Sequence, residues 1–315
     1  RSIPHTNNTA MRLQGPALCY VWDESVHGFR TISGIPGAAV LSDPYLTRGG
    51  FTSVAISPGQ NLALVVTVKG FLLRVSLPDG TTNVLSGVAA SNSQIVLSPE
   101  GNSALVYRGD SSQVILVTGL SASPSVRTLN FDIGPIVEAA VSDQGISVFA
   151  VKNGGSLTLY SVNEDNSPVA IASGGGGPIA FLHQRDALVI TDTAAATLSL
   201  VTGLNGAITT QVVATADDGL AAPSAVGISA DNNSAWVANG GDSSVVHVSL
   251  IQHAATVLPI PVKITQISSL AGNSIFQLSK FGTDPLPILD GDSPTPQVLY
   301  IPAPVKKDTT AEVAQ

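Results

Sequence analysis

The chain has 315 residues and a formal net charge of −8, and only 11% of its residues are charged. The acidic balance and the lack of a basic cluster predict no nucleic-acid partner, and no apolar run reaches the roughly 18 residues of a membrane span. The 30 Gly and 20 Pro favour short strands joined by many turns over long helices, so we expect an all-β protein.

A strand, a tight turn and a second strand recur about every forty residues, a period typical of repeat architectures. The residue after the first strand of each copy serves as a marker, and the first copy is divergent and lies near Pro16. The other markers are Ser57, Ser98, Ser142, Leu182, Ser229 and Ala271. Seven such copies predict a seven-bladed β-propeller of four-stranded antiparallel blades.

The predicted propeller is a single domain, residues 10–303, with blades at about 10–48, 49–90, 91–134, 135–175, 176–220, 221–262 and 263–303. In the third blade, strands are predicted at 94–97, 104–107, 114–118 and 126–131, from the channel outward. Gly101 supplies the positive φ that the first tight turn needs. Residues 304–315 contain few apolar side chains, so we expect a flexible tail.

The two terminal units decide how the ring closes. The first unit predicts strands at 11–14, 18–22, 29–33 and 38–41, and the last predicts strands at 266–270, 274–278, 287–290 and 297–301. Because each terminal blade is complete by itself, we expect the ring to close face to face, without strand exchange between the termini. The alternative is that residues 3–8 add a strand to the last blade.

The turn Ser98-Pro99-Glu100-Gly101, followed by Ala-Leu-Val and then by an Ile-Leu-Val strand, resembles the repeat of YVTN-type, WD40-like β-propellers. The resemblance covers about residues 11–302, and the first, fifth and seventh copies depart from it most. It implies a propeller and says little about activity, because this family includes binding scaffolds, bacterial surface proteins and a minority of enzymes.

Polar residues follow the second strand of each copy, on the face where propellers usually bind ligands. Ten positions after the marker stand Thr67, Arg108, Lys152, Asp192 and Asn239, with Glu24 and Lys280 near the same place in the terminal copies. Glu138 lies beside an apolar inner strand, where burial would raise its pKa. We predict a ligand site around the channel; the alternative is that these loops are polar only because they face water. The predicted ligand-binding residues are Arg108, Lys152, Asp192, Asn239, Lys280 and Glu138.

The sequence predicts no catalytic residue, metal site or cofactor. The five histidines lack metal-ligand spacing, and His27 and His183 are expected on opposite faces of the ring. Cys19 lies in an apolar run and is expected to be a small buried side chain. Acidic clusters such as Asp290-Gly291-Asp292 would accept adventitious calcium, but none forms a twelve-residue calcium loop.

Two functional hypotheses follow from these features. The first is a noncatalytic, monomeric propeller outside the cytoplasm, with its signal peptide removed, that binds a protein, peptide or glycan on the loop face or serves as a structural scaffold. The second is a lactonase-like or lyase-like hydrolase that activates water through a carboxylate at the channel mouth, with or without a divalent metal. Glu138 and Asp192 are the candidate acids for the second hypothesis, with His27 as a distant third.

Overall fold

The computed structural model describes residues 17–34, 38–47, 49–77, 79–86, 92–110, 113–153, 156–162, 166–174, 176–270 and 272–303. These residues form seven antiparallel sheets, and in each sheet the strands that are neighbours in sequence are also neighbours in space. The inner strands of successive sheets contact one another around a central channel. The protein is therefore an all-β, seven-bladed propeller, which confirms the predicted fold class.

The strands of blades 1 to 7 are, in chain order, β1 (Ala17–Asp23), β2 (Gly28–Ser33) and β3 (Val40–Leu41); β4 (Phe51–Ile56), β5 (Leu62–Thr67), β6 (Leu72–Ser76) and β7 (Thr82–Ser86); β8 (Gln94–Leu97), β9 (Ala104–Tyr107), β10 (Gln113–Thr118) and β11 (Ser125–Asn130); β12 (Ile136–Val141), β13 (Ser147–Asn153), β14 (Ser156–Val162) and β15 (Pro168–Gly174); β16 (Ile179–Phe181), β17 (Ala187–Asp192), β18 (Thr197–Thr202) and β19 (Thr209–Ala214); β20 (Pro223–Ile228), β21 (Ser234–Asn239), β22 (Ser244–Ser249) and β23 (Ala255–Pro259); and β24 (Ser268–Ser269), β25 (Ile275–Gln277), β26 (Leu286–Asp290) and β27 (Gln297–Ile301). A short 3₁₀ turn spans Ala216–Asp218. Within the described ranges, no helix has the length and apolar character needed to cross a membrane.

The described residues give blades 2 to 7 four strands each and blade 1 three strands. The strand predicted at 11–14, the alternative strand at 3–8 and the tail 304–315 all lie outside the described residues. In blade 7, β24 is shorter than predicted because the N–H groups of Thr265 and Gln266 both donate to the carbonyl oxygen of Leu278, at 3.1 and 3.3 Å. That shared acceptor interrupts the regular ladder before Ser268.

The core lies between the blades. Second strands such as β5 are buried along almost their whole length, because both of their faces are covered by adjacent sheets. Blade 1 packs on blade 7 in the same way, with Cys19, Val21 and Ile32 against Phe281 and Leu286. The ring is therefore closed by side-chain packing between its terminal blades, and within the described residues neither blade takes a strand from the other terminus.

Marker serines explain the strongest repeat signal in the sequence. Ser98 is buried, and its Oγ accepts a hydrogen bond of 2.9 Å from the N–H of Ser103, across the turn between inner and second strands. Ser142 does the same with Ile146. Gly101 has φ 71°, and a Cβ there would lie 2.9 Å from the Cβ of Ser57 in the neighbouring blade. Turn chemistry and close packing of blades thus favour a serine and a residue of positive φ at this turn in several copies.

Candidate functional site

The inner strands enclose a cavity of about 880 Å³, called here the channel cavity. Its walls combine apolar side chains, such as Ile56 and Phe181, with polar ones, such as Gln94 and Ser269, in about equal share. A large concave space with polar groups among apolar ones is typical of small-molecule and peptide sites. The two ends of the channel differ in the side chains that they present.

The loop face is the end formed by the loops between second and third strands and by the links between blades, and the turn face is the opposite end. Glu24 and Lys280 line the channel cavity at the loop face. A second cavity of about 600 Å³, the loop-face pocket, lies there and is lined by Glu138, Thr193 and Ser224, among others. The two cavities share the wall residues Ile179, Val226, Gln266 and Ile267.

Glu138 is the carboxylate of the loop-face pocket. It follows a register shift in β12, and its Oε1 accepts a hydrogen bond of 3.1 Å from the N–H of Ile179, the first residue of β16. Burial raises the pKa of Glu138 to about 7, and the Ile179 N–H opposes that rise. The group is therefore divided between its acid and carboxylate forms near neutral pH, and it can exchange a proton or attract a cation there.

Tyr107 faces Glu138 from the second strand of blade 3. Its hydroxyl donates to Oε1 of Gln94 at 2.9 Å. Burial, together with the negative charge of Glu138, raises the pKa of Tyr107 to about 12. Tyr107 thus remains neutral at physiological pH and adds no charge to the site.

The six predicted ligand residues lie in different environments. Glu138 lines the loop-face pocket and Lys280 lines the channel cavity, whereas the described lining of either cavity does not include Arg108, Lys152, Asp192 or Asn239. Arg108 is exposed and forms an ion pair of 2.6 Å with Asp110, and Lys152 is exposed on β13. The structure places Glu138 in the loop-face pocket and Lys280 in the channel cavity, and it leaves the other four outside both linings.

Asp192 and Asn239 are both engaged in holding loops. Oδ1 of Asp192 accepts the N–H groups of Ala194 and Ala195 at 2.9 and 2.8 Å. Asn239 is only 3% exposed; its Oδ1 accepts from Ala221 N at 2.8 Å, and its Nδ2 donates to Gly219 O and Ser244 Oγ. The hydrogen-bonding capacity of Asn239 is used inside the fold.

Sequence reasoning missed the polar groups that come from the links between blades. Thr193, Ser224, Thr265 and Gln266 line the loop-face pocket together with Glu138, although they belong to blades 5, 6 and 7. The sequence could have indicated them by position, because each lies near the start of an inner strand or just after a second strand. Both of these places are at the loop face. A further missed pair is on the turn face, where His183 Nδ1 lies 2.8 Å from Glu100 Oε1.

Metal-ligating side chains are dispersed in the part of the chain that the structure describes, where no three His, Cys, Asp or Glu side chains converge on one point. His27 lies between β1 and β2 and His183 between β16 and β17, on opposite faces of the ring, while His5 is outside the described residues. Cys19 is buried, and burial raises the pKa of its thiol to about 12. The thiol therefore stays protonated in the folded protein.

Comparison with known proteins defines the class of this protein as a β-propeller. No protein-family description matches the chain, and no curated protein matches its sequence. Virginiamycin B lyase from Staphylococcus aureus is similar in structure, with a TM-score of 0.57 and 14% identity over 82% of this chain and 85% of that chain. A functionally unknown protein from Desulfotomaculum acetoxidans has a TM-score of 0.60 and 14% identity over 90% and 94% of the two chains.

The WD40 repeats of RRP9 are also similar, with a TM-score of 0.56 and 12% identity over 81% of this chain and 82% of that chain. Sequence identities this low show a shared fold and leave the activity open. These structures support the WD40-like propeller architecture, and membership of the YVTN-type family remains a prediction.

Proposed function

We propose that this protein is a noncatalytic binding scaffold whose ligand enters the channel cavity through the loop-face pocket. The observation that carries this proposal is the shared wall of the two cavities, which places the large channel cavity next to the polar side chains around Glu138. Apolar walls give affinity through burial, and a few polar groups at the entrance give orientation. The ligand classes that fit a mouth of this size are a peptide, a segment of a protein or a glycan.

Side chains that link neighbouring blades on the turn face support a binding role, because they fix the positions of the blades around the channel before a ligand arrives. Asp143 of blade 4 accepts the N–H groups of Glu100 in blade 3 and of Gln184 in blade 5, at 2.9 and 3.0 Å. A preorganised site loses less conformational entropy on binding. We further propose that the protein acts as a monomer and lies outside the cytoplasm; its low content of charged residues favours that location.

Catalysis is the second candidate function, and the raised pKa of Glu138, about 7, is the observation that favours it. A carboxylate with this pKa is suited to remove a proton from water or substrate near neutral pH. In that case Glu138 would act as the general base of a lyase-like or lactonase-like reaction, with or without a divalent metal.

A thermal-shift panel of peptides, sugars, lactones and divalent metals tests both candidates. Ligand at 100 times its Kd stabilises the folded state by about 2.7 kcal/mol, so a true ligand raises the melting temperature measurably. The shift should fall sharply in Glu138→Gln and persist in Asp132→Asn, a matched exposed carboxylate on the link before blade 4. A shift that is equal in all three proteins would contradict a site at Glu138.

Product analysis of the same samples separates the two candidates. A scaffold leaves its ligand unchanged, whereas an enzyme consumes it in the wild type and not in Glu138→Gln. Consumption of a lactone by the wild type would therefore replace the scaffold proposal with the enzymatic one.

A further inference from the structure

The loop-face pocket contains a single titratable side chain among its described lining residues, the carboxylate of Glu138. Its one hydrogen bond within the described part of the chain comes from Ile179 N. Arg108, a cation on the same face, is already paired with Asp110. A carboxylate that is partly removed from water without a cationic neighbour is stabilised when a cation binds beside it.

Two polar neighbours of Glu138 use their hydroxyl donors on backbone carbonyl groups. Thr193 Oγ1 donates to the carbonyl oxygen of Pro223 at 2.9 Å, and Ser224 Oγ donates to that of Ala238 at 3.3 Å. Both hydroxyl protons are therefore used by the backbone, and the lone pairs of the two oxygens are what remains for a ligand.

Gln266 offers both kinds of group. One N–H of its Nε2 donates to the carbonyl oxygen of Ser279 at 3.2 Å, and its Oε1 is an acceptor. The Glu138 carboxylate and these oxygens give the pocket one negative charge and several acceptors, so a ligand that brings donors is complementary to it.

Apart from Thr265, the remainder of the wall is apolar. Pro178, Pro223, Ala225, Val226 and Ile267 line the pocket, and the last two also line the channel cavity. An apolar chain extending from the donor group would be buried along this wall toward the channel. The net charge of −8 adds a general attraction for cations.

We propose that the loop-face pocket binds a primary ammonium group carried on an apolar chain, with the ammonium beside Glu138 and the chain against Val226 and Ile267. This inference rests on the proposed function, because it names the ligand chemistry of the same site. A primary ammonium supplies three donors and one positive charge, which match a carboxylate surrounded by hydroxyl and amide oxygens. Two sources share this chemistry, a free aliphatic amine and the side chain of a lysine in a peptide.

The first experiment measures the binding of hexylamine, hexanol and hexanoate to the full chain by calorimetry. At pH 8 we expect the wild type to bind hexylamine at least about tenfold more tightly than hexanol, and hexanoate least tightly. The preference should fall below about twofold in Glu138→Gln and be unchanged in Asp132→Asn. It should also weaken at pH 5.5, because Glu138 is protonated there while Tyr107, the titratable side chain facing it, stays neutral at both pH values.

The second experiment separates the two sources. The peptide acetyl-Ala-Ala-Lys-Ala-Ala-amide is compared with the same peptide acetylated on Nζ. Tighter binding of the unmodified peptide than of hexylamine indicates a lysine of a protein partner, and the reverse indicates a free amine.

The possible failures are distinct. If hexylamine and hexanol bind equally well, or if the ammonium preference survives in Glu138→Gln, the ammonium assignment is wrong while the site at the channel mouth stands. If none of the probes binds the wild type, both the ammonium assignment and the proposed channel-mouth site are overturned. Folding of Glu138→Gln is checked by its circular dichroism, and its isosteric side chain retains an acceptor for Ile179 N.

Discussion

The turn face and the loop face of the ring hold neighbouring blades together in different ways. On the turn face, polar side chains from one blade bind the backbone of the next: Asp143 links blades 3, 4 and 5, Asn232 links blade 6 to His183 of blade 5, and Asn273 links blade 7 to Asp231 of blade 6. On the loop face, Glu138 also accepts a bond from the next blade, but it and the polar groups around it line a cavity. Polar groups that only join blades stabilise the ring, and those that line a cavity can also meet a ligand.

Asn239 is the sharpest test of the difference between structural polar groups and polar groups available to a ligand. It belongs to the loop face and yet is buried. Asn239→Ala removes its three hydrogen bonds, to Ala221, Gly219 and Ser244, and should lower the free energy of unfolding by about 3 kcal/mol. Urea unfolding measures this loss.

The exposed residue Asn205 provides the control. Asn205→Ala should change the free energy of unfolding by less than about 0.5 kcal/mol. Equal effects of the two substitutions would mean that Asn239 is not a structural residue and would return it to the list of ligand contacts.

Asp143 tests the turn face. Asp143→Ala leaves the N–H groups of Glu100 and Gln184 without their acceptor, and we expect it to lower the free energy of unfolding by about 2 kcal/mol. The loss is smaller than at Asn239 because water can reach these partly exposed groups. Urea unfolding with Asp132→Ala as the control measures it, and an Asp143→Ala protein as stable as the control would show that Asp143 does not hold its neighbouring blades together.

The architecture could be predicted from the sequence because its signals are local and repeated. Buried serines return at the same turn in four copies, as Ser98 and Ser142 show, and a β-strand begins five or six residues after each of them. Apolar periodicity and turn chemistry act over a few residues, so seven copies reinforce one interpretation. The predicted inner strand of blade 1 is the part of this pattern that lies outside the described residues.

The site was less predictable because it depends on how the ring brings distant links together. Glu138 was singled out from one blade, whereas Thr265 and Gln266 reach the same pocket from the far side of the channel. Lys280 and Asn239 follow the same polar pattern in sequence, yet one is exposed at the channel and the other is buried. Polarity alone does not distinguish a side chain that caps a loop from one that faces a ligand.

Glu138→Gln should have the smallest effect on the free energy of unfolding, and this effect should depend on pH. The pKa of Glu138 is raised from 4.5 to about 7 by burial in the folded state, so folding favours its protonated form. The stability that comes from this preference is present below about pH 4.5 and is lost as the pH rises through 7. Since Gln is neutral at every pH, Glu138→Gln should match the wild type near pH 4.5 and exceed its free energy of unfolding by about 1 kcal/mol at pH 8.

Urea unfolding at a series of pH values measures this gap, and Asp132→Asn, at an exposed position, should run parallel to the wild type throughout. If the difference in free energy of unfolding between Glu138→Gln and the wild type does not change with pH, the folded protein leaves the pKa of Glu138 unperturbed. The loop face would then lack the buried carboxylate that distinguishes it from the turn face. A growing gap would show that the ring tolerates an uncompensated carboxylate at its channel mouth at the expense of stability. A bound ammonium should then close that gap at pH 8, which ties the pH profile of the empty protein to the ligand chemistry of the loop-face pocket.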